Sequence, residues 1–397
     1  MRILFLTPEF VTEKYFDGGL ANYIYRISKE LIKEHSVEVI VSSDRTEKLT
    51  HEGIVVHRVG LSKLDRFWMM IINMLSRHKL APTFNYLFYA KRINKYYVKL
   101  GHFDVLQSSN YGYPGYFVFK KEQNKGILKI VRASSYAPAW RAATGDGNSL
   151  DSMLNNYLEV SLMRMAEKCY SPSRFVQELF RVNECVNLDI IRTPLVQELP
   201  EMDENVYESK LKSIGKYLLY FGTISMSKGL DQLAEVLPGL IDKYPDIKLV
   251  FVGKDTVSPS GDSMLPYIKE AVPNIGQQLI HLGKLKHSEL YPIIMHAHGL
   301  IFLSRVDNIP NACLEAISMK KAILAPKGAS FDEMLSNENS ILFEFNNMED
   351  LMAKMEQLWT LSESDKERLL SNLDGHNDEY KMESVMNVLS PYFVTRG

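Results

Sequence analysis

The sequence of 397 residues contains 46% hydrophobic and 24% charged residues, with a formal net charge of −2 at pH 7. This balance is typical of a folded globular protein and argues against disorder, and the near-neutral charge gives no indication of nucleic-acid binding. The three cysteines, Cys169, Cys185 and Cys313, are far apart and odd in number, which favours a reducing compartment over a disulfide framework. The apolar run before Thr7 has only four residues, 3–6, which is too few for a signal-peptide core, and no window approaches the length of a membrane span. We therefore expect a cytoplasmic protein.

Short apolar or β-branched runs alternate with helical patterns throughout the first half of the chain. These runs predict strands at residues 3–6, 37–41, 54–59, 103–107 and 127–131. The alternation is typical of βαβ units, in which helices cover both faces of a parallel sheet.

A second series of strands follows a polar and acidic stretch at residues 198–204, which we interpret as a linker. The predicted strands lie at residues 217–221, 248–252, 279–282, 300–303, 322–325 and 341–345. The length suits two domains, each large enough to bury its own core. We therefore predict an α/β protein with two Rossmann-like domains, residues 1–197 and 198–377, and ligands at the carboxyl ends of the strands.

The first candidate motif is the glycine pair Gly18 and Gly19, which follows the first strand. A helix is predicted from about Leu20, because apolar residues recur at helical spacing on one face: Leu20, Ile24, Ile27 and Leu31. Glycines at such a helix start leave room for a diphosphate, where larger side chains would block it. The alternative is an ordinary turn.

The second motif begins with the apolar strand at residues 217–221 and continues through Gly222 and Thr223 to Lys228 and Gly229. Lys228 lies in the loop after the strand, where we expect its ammonium to meet phosphate without competition from a carboxylate close by in sequence. The alternative is a solvated surface lysine.

The third motif spans residues 304–316 and contains two carboxylates, Asp307 and Glu315, eight positions apart. Pro310 fits the first turn of a helix, so free backbone N–H groups near Asn311, Ala312 and Cys313 are expected to face an anion. Glu315 is placed to accept hydrogen bonds from sugar hydroxyls, and Asp307 lies on the preceding loop. Alternatively, Glu315 only stabilises the helix dipole.

In this order, the three motifs resemble those of the family-four retaining glycosyltransferases (glycosyl transferases group 1), which have the GT-B fold and use nucleotide-activated sugars. The resemblance implies two facing Rossmann-like domains with an interdomain cleft, and a C-terminal helix, residues 378–397, that returns to the first domain. It implies catalytic roles for Lys228, Asp307 and Glu315. It also implies a donor site that contains these three residues and Gly18, Gly19, Gly222, Thr223, Asn308, Ile309, Pro310, Asn311 and Ala312.

Two positions depart from the family pattern. Thr223 occupies the place of an arginine that normally joins the lysine on the diphosphate. After the fifth strand the family often has a histidine, whereas this chain has Arg132 and Ser134. Arg132 is expected to supply charge to the cleft, and Ser134 to stand near the place of the histidine.

The resemblance implies a retaining, hexosyltransferase-type reaction with a UDP- or GDP-sugar as donor and no cofactor. Fixed N–H groups and Lys228 would stabilise the charge that develops on the departing diphosphate. No Asp-x-Asp metal motif lies at the domain junction, so we expect metal independence. Two alternatives stay open: a GT-B sugar-nucleotide epimerase and a non-catalytic sugar-nucleotide-binding partner.

The acceptor is indicated by the basic segment, residues 61–100, which contains eight basic residues and one acidic residue. Its charge is +7, with many aromatic and other apolar residues interspersed. One interpretation is docking on an anionic membrane surface, which suits a lipid-linked acceptor in bacterial surface-polysaccharide assembly. The other is an apolar core with a solvated charged face.

Overall fold

The computed structural model describes residues 1–14, 19–77, 79–122, 126–144, 149–196, 201–256, 258, 261, 263–272, 278–373 and 377–394. The chain divides into two compact units. Unit 1 comprises Met1–Pro194 with Glu383–Gly397, and unit 2 comprises Leu195–Met382. The domain limits derived from the sequence, after residues 197 and 377, stay predictions.

Unit 1 is built around an eight-stranded sheet with strand order β3-β4-β2-β1-β5-β6-β7-β8. All pairs are parallel except β3 with β4. The strands predicted in this half of the chain are all present. The bounds are β1 Arg2–Thr7, β2 Ser36–Ser43, β3 Glu47–His51, β4 Ile54–Gly60, β5 Val105–Ser109, β6 Leu128–Arg132, β7 Lys168–Ser171 and β8 Asp189–Ile190.

In the described residues of unit 1, seven helices connect these strands. They are α1 Gly19–Leu31, α2 Lys63–Leu75, α3 Ala81–Tyr97, α4 Tyr116–Lys121, α5 Ala137–Thr144, α6 Leu150–Arg164 and α7 Arg174–Glu184. The predicted apolar face of α1 is buried at Leu20, Ile24, Ile27 and Leu31. Near the end of the chain, the Tyr392 hydroxyl donates to the Cys169 carbonyl at 3.1 Å, so the chain terminus packs on β7.

Unit 2 contains a six-stranded, fully parallel sheet with strand order β11-β10-β9-β12-β13-β14. Every predicted strand of this half is present. The strands are β9 Leu218–Phe221, β10 Leu249–Val252, β11 Leu279–His281, β12 Gly299–Ile301, β13 Ile323–Pro326 and β14 Ile341–Phe343.

Helices cover both faces of this second sheet, and an apolar cluster is buried on each side of it. They are α8 Asn205–Lys210, α9 Leu230–Lys243, α10 Met264–Ala271, α11 His287–His296, α12 Asn311–Ser318, α13 Met348–Trp359 and α14 Glu363–Ser371. A last helix, α15 Met382–Tyr392, begins where the chain leaves unit 2. The predicted α/β class with two parallel-sheet units is confirmed.

Candidate functional site

The strand order of unit 2 brings two of the three sequence motifs together. Strands β9 and β12 are parallel neighbours, with Gly299 opposite Leu218 and Leu300 opposite Leu219. Their carboxyl ends therefore lie side by side, although they are far apart in sequence. The loop after β9 carries Lys228, and the loop after β12 carries Asp307, so both face the same edge of the sheet.

Gly229 allows the loop after β9 to pack directly against the end of β12. Its φ is +72°, and a Cβ atom at this position would lie 1.9 Å from the Leu303 carbonyl oxygen. Only glycine tolerates both the backbone angle and this close approach. The Lys-Gly pair therefore fixes where the Lys228 backbone lies.

Lys228 and Asp307 form an ion pair in which Nζ lies 2.5 Å from Oδ2. The lysine side chain is 30% exposed and the aspartate side chain 12% exposed, so a ligand can reach the ammonium. The structure differs here from our expectation, because a carboxylate distant in sequence does compete for this lysine. A bound diphosphate would have to share or replace this contact.

Arg305 braces the same loop, a role that the sequence analysis missed. Its backbone N–H donates to the Ser227 carbonyl at 3.1 Å, and its Nε donates to the Met226 carbonyl at 3.3 Å. The guanidinium also pairs with Asp231 in the first turn of α9. The only sequence signal was the position of Arg305 between β12 and Asp307.

The turn after Asp307 adopts a strained backbone conformation. Ile309 has a φ of +77°, which is rare for a β-branched residue. Two hydrogen bonds stabilise it: Asn308 N–H donates to Asp307 Oδ1, and Ile309 N–H donates to Ser330 Oγ, both at 3.0 Å. Asp307 therefore accepts from its own turn through one oxygen and contacts Lys228 through the other.

Helix α12 begins directly after Pro310, which occupies the N-cap position rather than the first turn. The Cys313 N–H donates to the Pro310 carbonyl at 2.9 Å, so it does not offer the free donor that we expected. Among the described residues, the N–H groups of Asn311 and Ala312 have no hydrogen-bond partner. Two backbone donors thus stay available at this helix start.

Glu315 is buried in α12, with its side chain 7% exposed. The imidazole of His287, at the start of α11, lies beside it, with Nε2 3.7 Å from Glu315 Oε1. This separation is longer than a normal hydrogen bond. Glu315 thus retains acceptor capacity for hydroxyl groups, and His287 is a neighbour that the sequence analysis did not identify.

Burial keeps two other polar groups near Asp307 in their neutral forms. Burial raises the pKa of the Cys313 thiol, and the negative charge of Asp307 raises it further. Burial and the same carboxylate also raise the pKa of Tyr220. Neither side chain can therefore serve as an ionised nucleophile near neutral pH.

Gly222 and Thr223 form the exposed part of the loop after β9. Gly222 has a φ of +135°, and its backbone packs against Gly253, where a Cβ atom would lie 1.8 Å from the Gly222 oxygen. The Thr223 carbonyl accepts a hydrogen bond from the Tyr220 hydroxyl at 2.6 Å. This part of the loop brings no cation to the site.

The glycine motif of unit 1 is described only in part. Gly19 is the first residue of α1, whereas Gly18 lies outside the described residues. The diphosphate role of this pair stays a prediction.

Arg132 is the last residue of β6 and contacts Ser134, two residues further on. Arg132 Nη1 donates to Ser134 Oγ at 3.1 Å, and Nη2 donates to Thr193 Oγ1 at 3.0 Å. The guanidinium carbon lies 3.9 Å from the centroid of the Tyr23 ring. Arg132 is only 6% exposed, so its guanidinium contacts these hydroxyl groups rather than solvent.

A buried amide and a buried carboxyl position the segment that carries Ser134. Asn110 Oδ1 accepts from the Ser134 N–H at 2.7 Å, and Asn110 Nδ2 donates to the Ser135 carbonyl at 2.7 Å. The same amide donates to Glu159 Oε2 at 3.0 Å. Burial raises the pKa of Glu159 to about 8, although Arg141 and Asn110 oppose the increase.

Glu159→Gln should flatten the pH dependence of stability. The pKa of Glu159 in the folded protein is about 8, above its ordinary value of 4.5. Between pH 4.5 and pH 8 the unfolded chain therefore binds fewer protons than the folded protein does. The wild type should thus lose up to about 1.4 kcal/mol of stability for each pH unit from about pH 5 to 8, and regain it on acidification. Urea unfolding at pH 5 and pH 8 measures this slope, with the exposed Glu34→Gln as control. Equal slopes for wild type and Glu159→Gln would show that Glu159 ionises freely in the folded state.

No group of three or more His, Cys, Asp or Glu residues could hold a metal ion in the part of the chain that is described. Metal independence stays a prediction.

A family model described as Glycosyl transferases group 1 matches residues 202–370, which contain the loops with Lys228 and Asp307 and the whole of α12. No curated protein matches the chain.

Solved structures match nearly the whole chain. A sucrose-phosphate synthase from Thermosynechococcus elongatus has a TM-score of 0.76 and 12% identity, covering 99% of this chain and 98% of the other. An α,α-trehalose-phosphate synthase (UDP-forming) from Burkholderia xenovorans, in complex with glucose-6-phosphate, has a TM-score of 0.76 and 10% identity, covering 99% and 100%. An E. coli structure described as trehalose-6-phosphate bound with UDP-2-fluoro glucose has a TM-score of 0.70 and 12% identity, covering 100% and 99%. At these identities the similarity establishes the fold alone.

Proposed function

We propose that this protein is a retaining glycosyltransferase, because residues 202–370 match the Glycosyl transferases group 1 model and the chain shares its GT-B fold with the solved structures. It moves a sugar, of hexose type, from a nucleoside diphosphate sugar to a hydroxyl group of an acceptor. The observation that carries this proposal is that an accessible ammonium and two backbone N–H groups without partners among the described residues lie on either side of Asp307. The ammonium is that of Lys228, in the loop after β9, and the N–H groups are those of Asn311 and Ala312, at the start of α12.

The donor diphosphate is the group that this constellation suits. Breaking the bond between the sugar and the phosphate leaves negative charge on the diphosphate oxygens. An ammonium and fixed backbone dipoles lower the barrier by stabilising that charge as it develops. Thr223 adds a hydroxyl but no charge, so Lys228 carries most of the electrostatic stabilisation available from unit 2.

The two carboxylates, Glu315 and Asp307, contact different parts of the donor outside its diphosphate. Buried Glu315, which makes no close hydrogen bond to His287, accepts from the hydroxyls of the ribose or of the sugar. Asp307 faces the transferred sugar once the diphosphate has drawn Lys228 away. Because one neighbour was solved with UDP-2-fluoro glucose, UDP-sugars are the first donors to test and GDP-sugars the second.

The transfer step needs no covalent intermediate. The acceptor oxygen attacks the anomeric carbon on the face from which the diphosphate departs, so the configuration is retained. The bond from the anomeric carbon to the phosphate oxygen breaks, and the acceptor proton passes to that oxygen. We propose that this step requires no metal ion, because Lys228 and the start of α12 neutralise the leaving group.

The acceptor is a glycan or a lipid-linked sugar, as in the assembly of a bacterial surface polysaccharide. The basic segment, residues 61–100, supports a location at the inner face of a membrane, reached from the cytoplasm. Among the described residues, no helix combines the length and apolar character that crossing a bilayer requires. A sugar phosphate is a second acceptor class to test, since one neighbour was solved with glucose-6-phosphate.

A panel of UDP- and GDP-sugars, incubated with the pure protein with and without acceptors, tests the proposal. We expect release of nucleoside diphosphate, by transfer or by slow hydrolysis, with one donor strongly preferred. An isomerised sugar nucleotide would instead identify an epimerase. Binding without any turnover would identify a non-catalytic partner, and either result would contradict the proposed transfer.

A further inference from the structure

Helix α2 exposes an apolar face that none of the other described residues covers. None of its 13 residues, all of which are described, is buried. At least half of each of six large side chains is exposed: Leu64 64%, Phe67 50%, Trp68 50%, Met70 60%, Met74 67% and Leu75 75%. At about 100° per residue, all of these except Met70 fall within an arc of about 120° on one side of the helix. A helix of a soluble domain normally turns such a stripe toward its core.

Helix α2 has a capping box at its start, and a residue outside the stripe contacts α3. Ser62 and Asp65 form a reciprocal cap, in which Asp65 N–H donates to Ser62 Oγ at 3.2 Å and Ser62 N–H donates to Asp65 Oδ2 at 2.9 Å. Asp65 also lies 3.4 Å from Nε of Arg92 in α3. The helix is therefore held in place by polar contacts, and its stripe points away from α3.

Basic side chains border the stripe. Lys63 is exposed on α2 next to it, and Arg77 and Lys79 are exposed just beyond the helix end. Arg66 is exposed farther round the helix, where its guanidinium also donates to the Asp44 carbonyl at 3.0 Å. An anionic lipid surface matches this combination, because aliphatic and aromatic side chains enter the acyl boundary while cations contact the headgroups. Pairing with a second copy of the chain through this face would bring the same cations together.

We propose that α2 is an interfacial anchor that inserts its apolar stripe into an anionic lipid bilayer. The anchor rests on the proposed function in one respect: it would hold the transferase at the surface where a lipid-linked acceptor lies. Arg92 belongs to the contact between α2 and α3 rather than to the lipid-facing set.

Flotation with vesicles tests the anchor, using equal parts phosphatidylglycerol and phosphatidylcholine, or phosphatidylcholine alone. The wild type should float with the anionic vesicles at low salt and less at physiological salt, because ions screen the attraction. Lys63→Gln with Arg66→Gln should lower the partition coefficient about fivefold for each residue. Phe67→Ser with Trp68→Ser should lower it more than tenfold for each residue.

Matched control variants test whether a loss of vesicle binding is specific to the stripe and its neighbouring cations. Lys210→Gln with Lys269→Gln removes two exposed cations of unit 2. Val182→Ser with Val388→Ser removes two apolar side chains of unit 1 that are 59% and 52% exposed. Both controls should float like the wild type. Because all these side chains are exposed, the variants should fold, and thermal unfolding checks this.

Three outcomes would overturn the anchor. The wild type could fail to float with anionic vesicles at low salt, or the controls could lose as much binding as the α2 variants. Alternatively, light scattering could show a dimer that becomes monomeric with Phe67→Ser and Trp68→Ser, which would assign the stripe to a second copy. Transfer to a soluble acceptor is measured in parallel: its retention in α2 variants supports the anchor, and its absence in the wild type contradicts only the proposed transfer.

Discussion

Replacing Lys228 by alanine should lower kcat/KM for sugar transfer about ten- to a hundredfold, because a hydrogen bond to a charged group is worth roughly 1.5–3 kcal/mol. The ammonium is the one side-chain cation that the loop after β9 presents to the proposed diphosphate. Steady-state kinetics with the preferred donor measure the effect. The exposed Lys269→Ala in the same unit is the matched control and should keep wild-type activity.

The ion pair with Asp307 makes a second variant necessary. Lys228→Ala leaves the largely buried carboxylate of Asp307 without its cation. The unpaired charge would destabilise the loop, and the resulting loss of activity would resemble a catalytic defect. The double variant Lys228→Ala with Asp307→Asn removes this unpaired charge. We expect it to regain stability in thermal unfolding without regaining activity. Recovery of near-wild-type kcat/KM in the double variant would show that Lys228 only neutralises Asp307.

Glu315→Gln should weaken binding of nucleoside diphosphates and their sugars about tenfold or more, because a carboxylate accepts hydroxyl hydrogen bonds more strongly than an amide does. Isothermal titration calorimetry with UDP, GDP and their sugars measures the loss. The exposed Glu235→Gln in α9 is the control for removal of a negative charge.

Asp307→Asn should behave differently from Glu315→Gln. Because Asp307 is proposed to face the sugar, its replacement should change discrimination between sugars more than affinity for the bare diphosphate. Removing its charge also releases Lys228, which can even strengthen binding of the bare diphosphate. Equal losses for UDP and UDP-sugar would contradict a sugar-facing role.

The fold could be predicted from sequence because most strands are short apolar runs with clear boundaries. Strands β3, β7 and β8 were not predicted. Strand β3 has one apolar residue in five and pairs antiparallel at the sheet edge, where little is buried. Strand β7 mixes polar and apolar residues, and β8 has only two residues. The polar stretch at residues 198–204 and the apolar run at 217–221 indicated where the second series of strands begins. Local composition therefore sufficed where a strand is a continuous apolar run, but not for short strands or strands of mixed composition.

The site was predictable as a set of residues but not as a set of contacts. The pair of Lys228 with Asp307 joins residues 79 positions apart, and local sequence does not encode such a distance. The same holds for Arg305 with Asp231. The positive φ of Ile309 contradicts the preference of its side chain, so only tertiary contacts such as the Ser330 hydrogen bond can impose it.

A crystal structure with a bound nucleoside diphosphate sugar tests the proposed site most directly. The diphosphate should lie within hydrogen-bond distance of Lys228 Nζ and of the N–H groups of Asn311 and Ala312, with ligand hydroxyls donating to Glu315. The separation between Lys228 Nζ and Asp307 Oδ2 should increase beyond its present 2.5 Å. A diphosphate bound elsewhere, with the ion pair of Lys228 and Asp307 intact, would contradict the assignment.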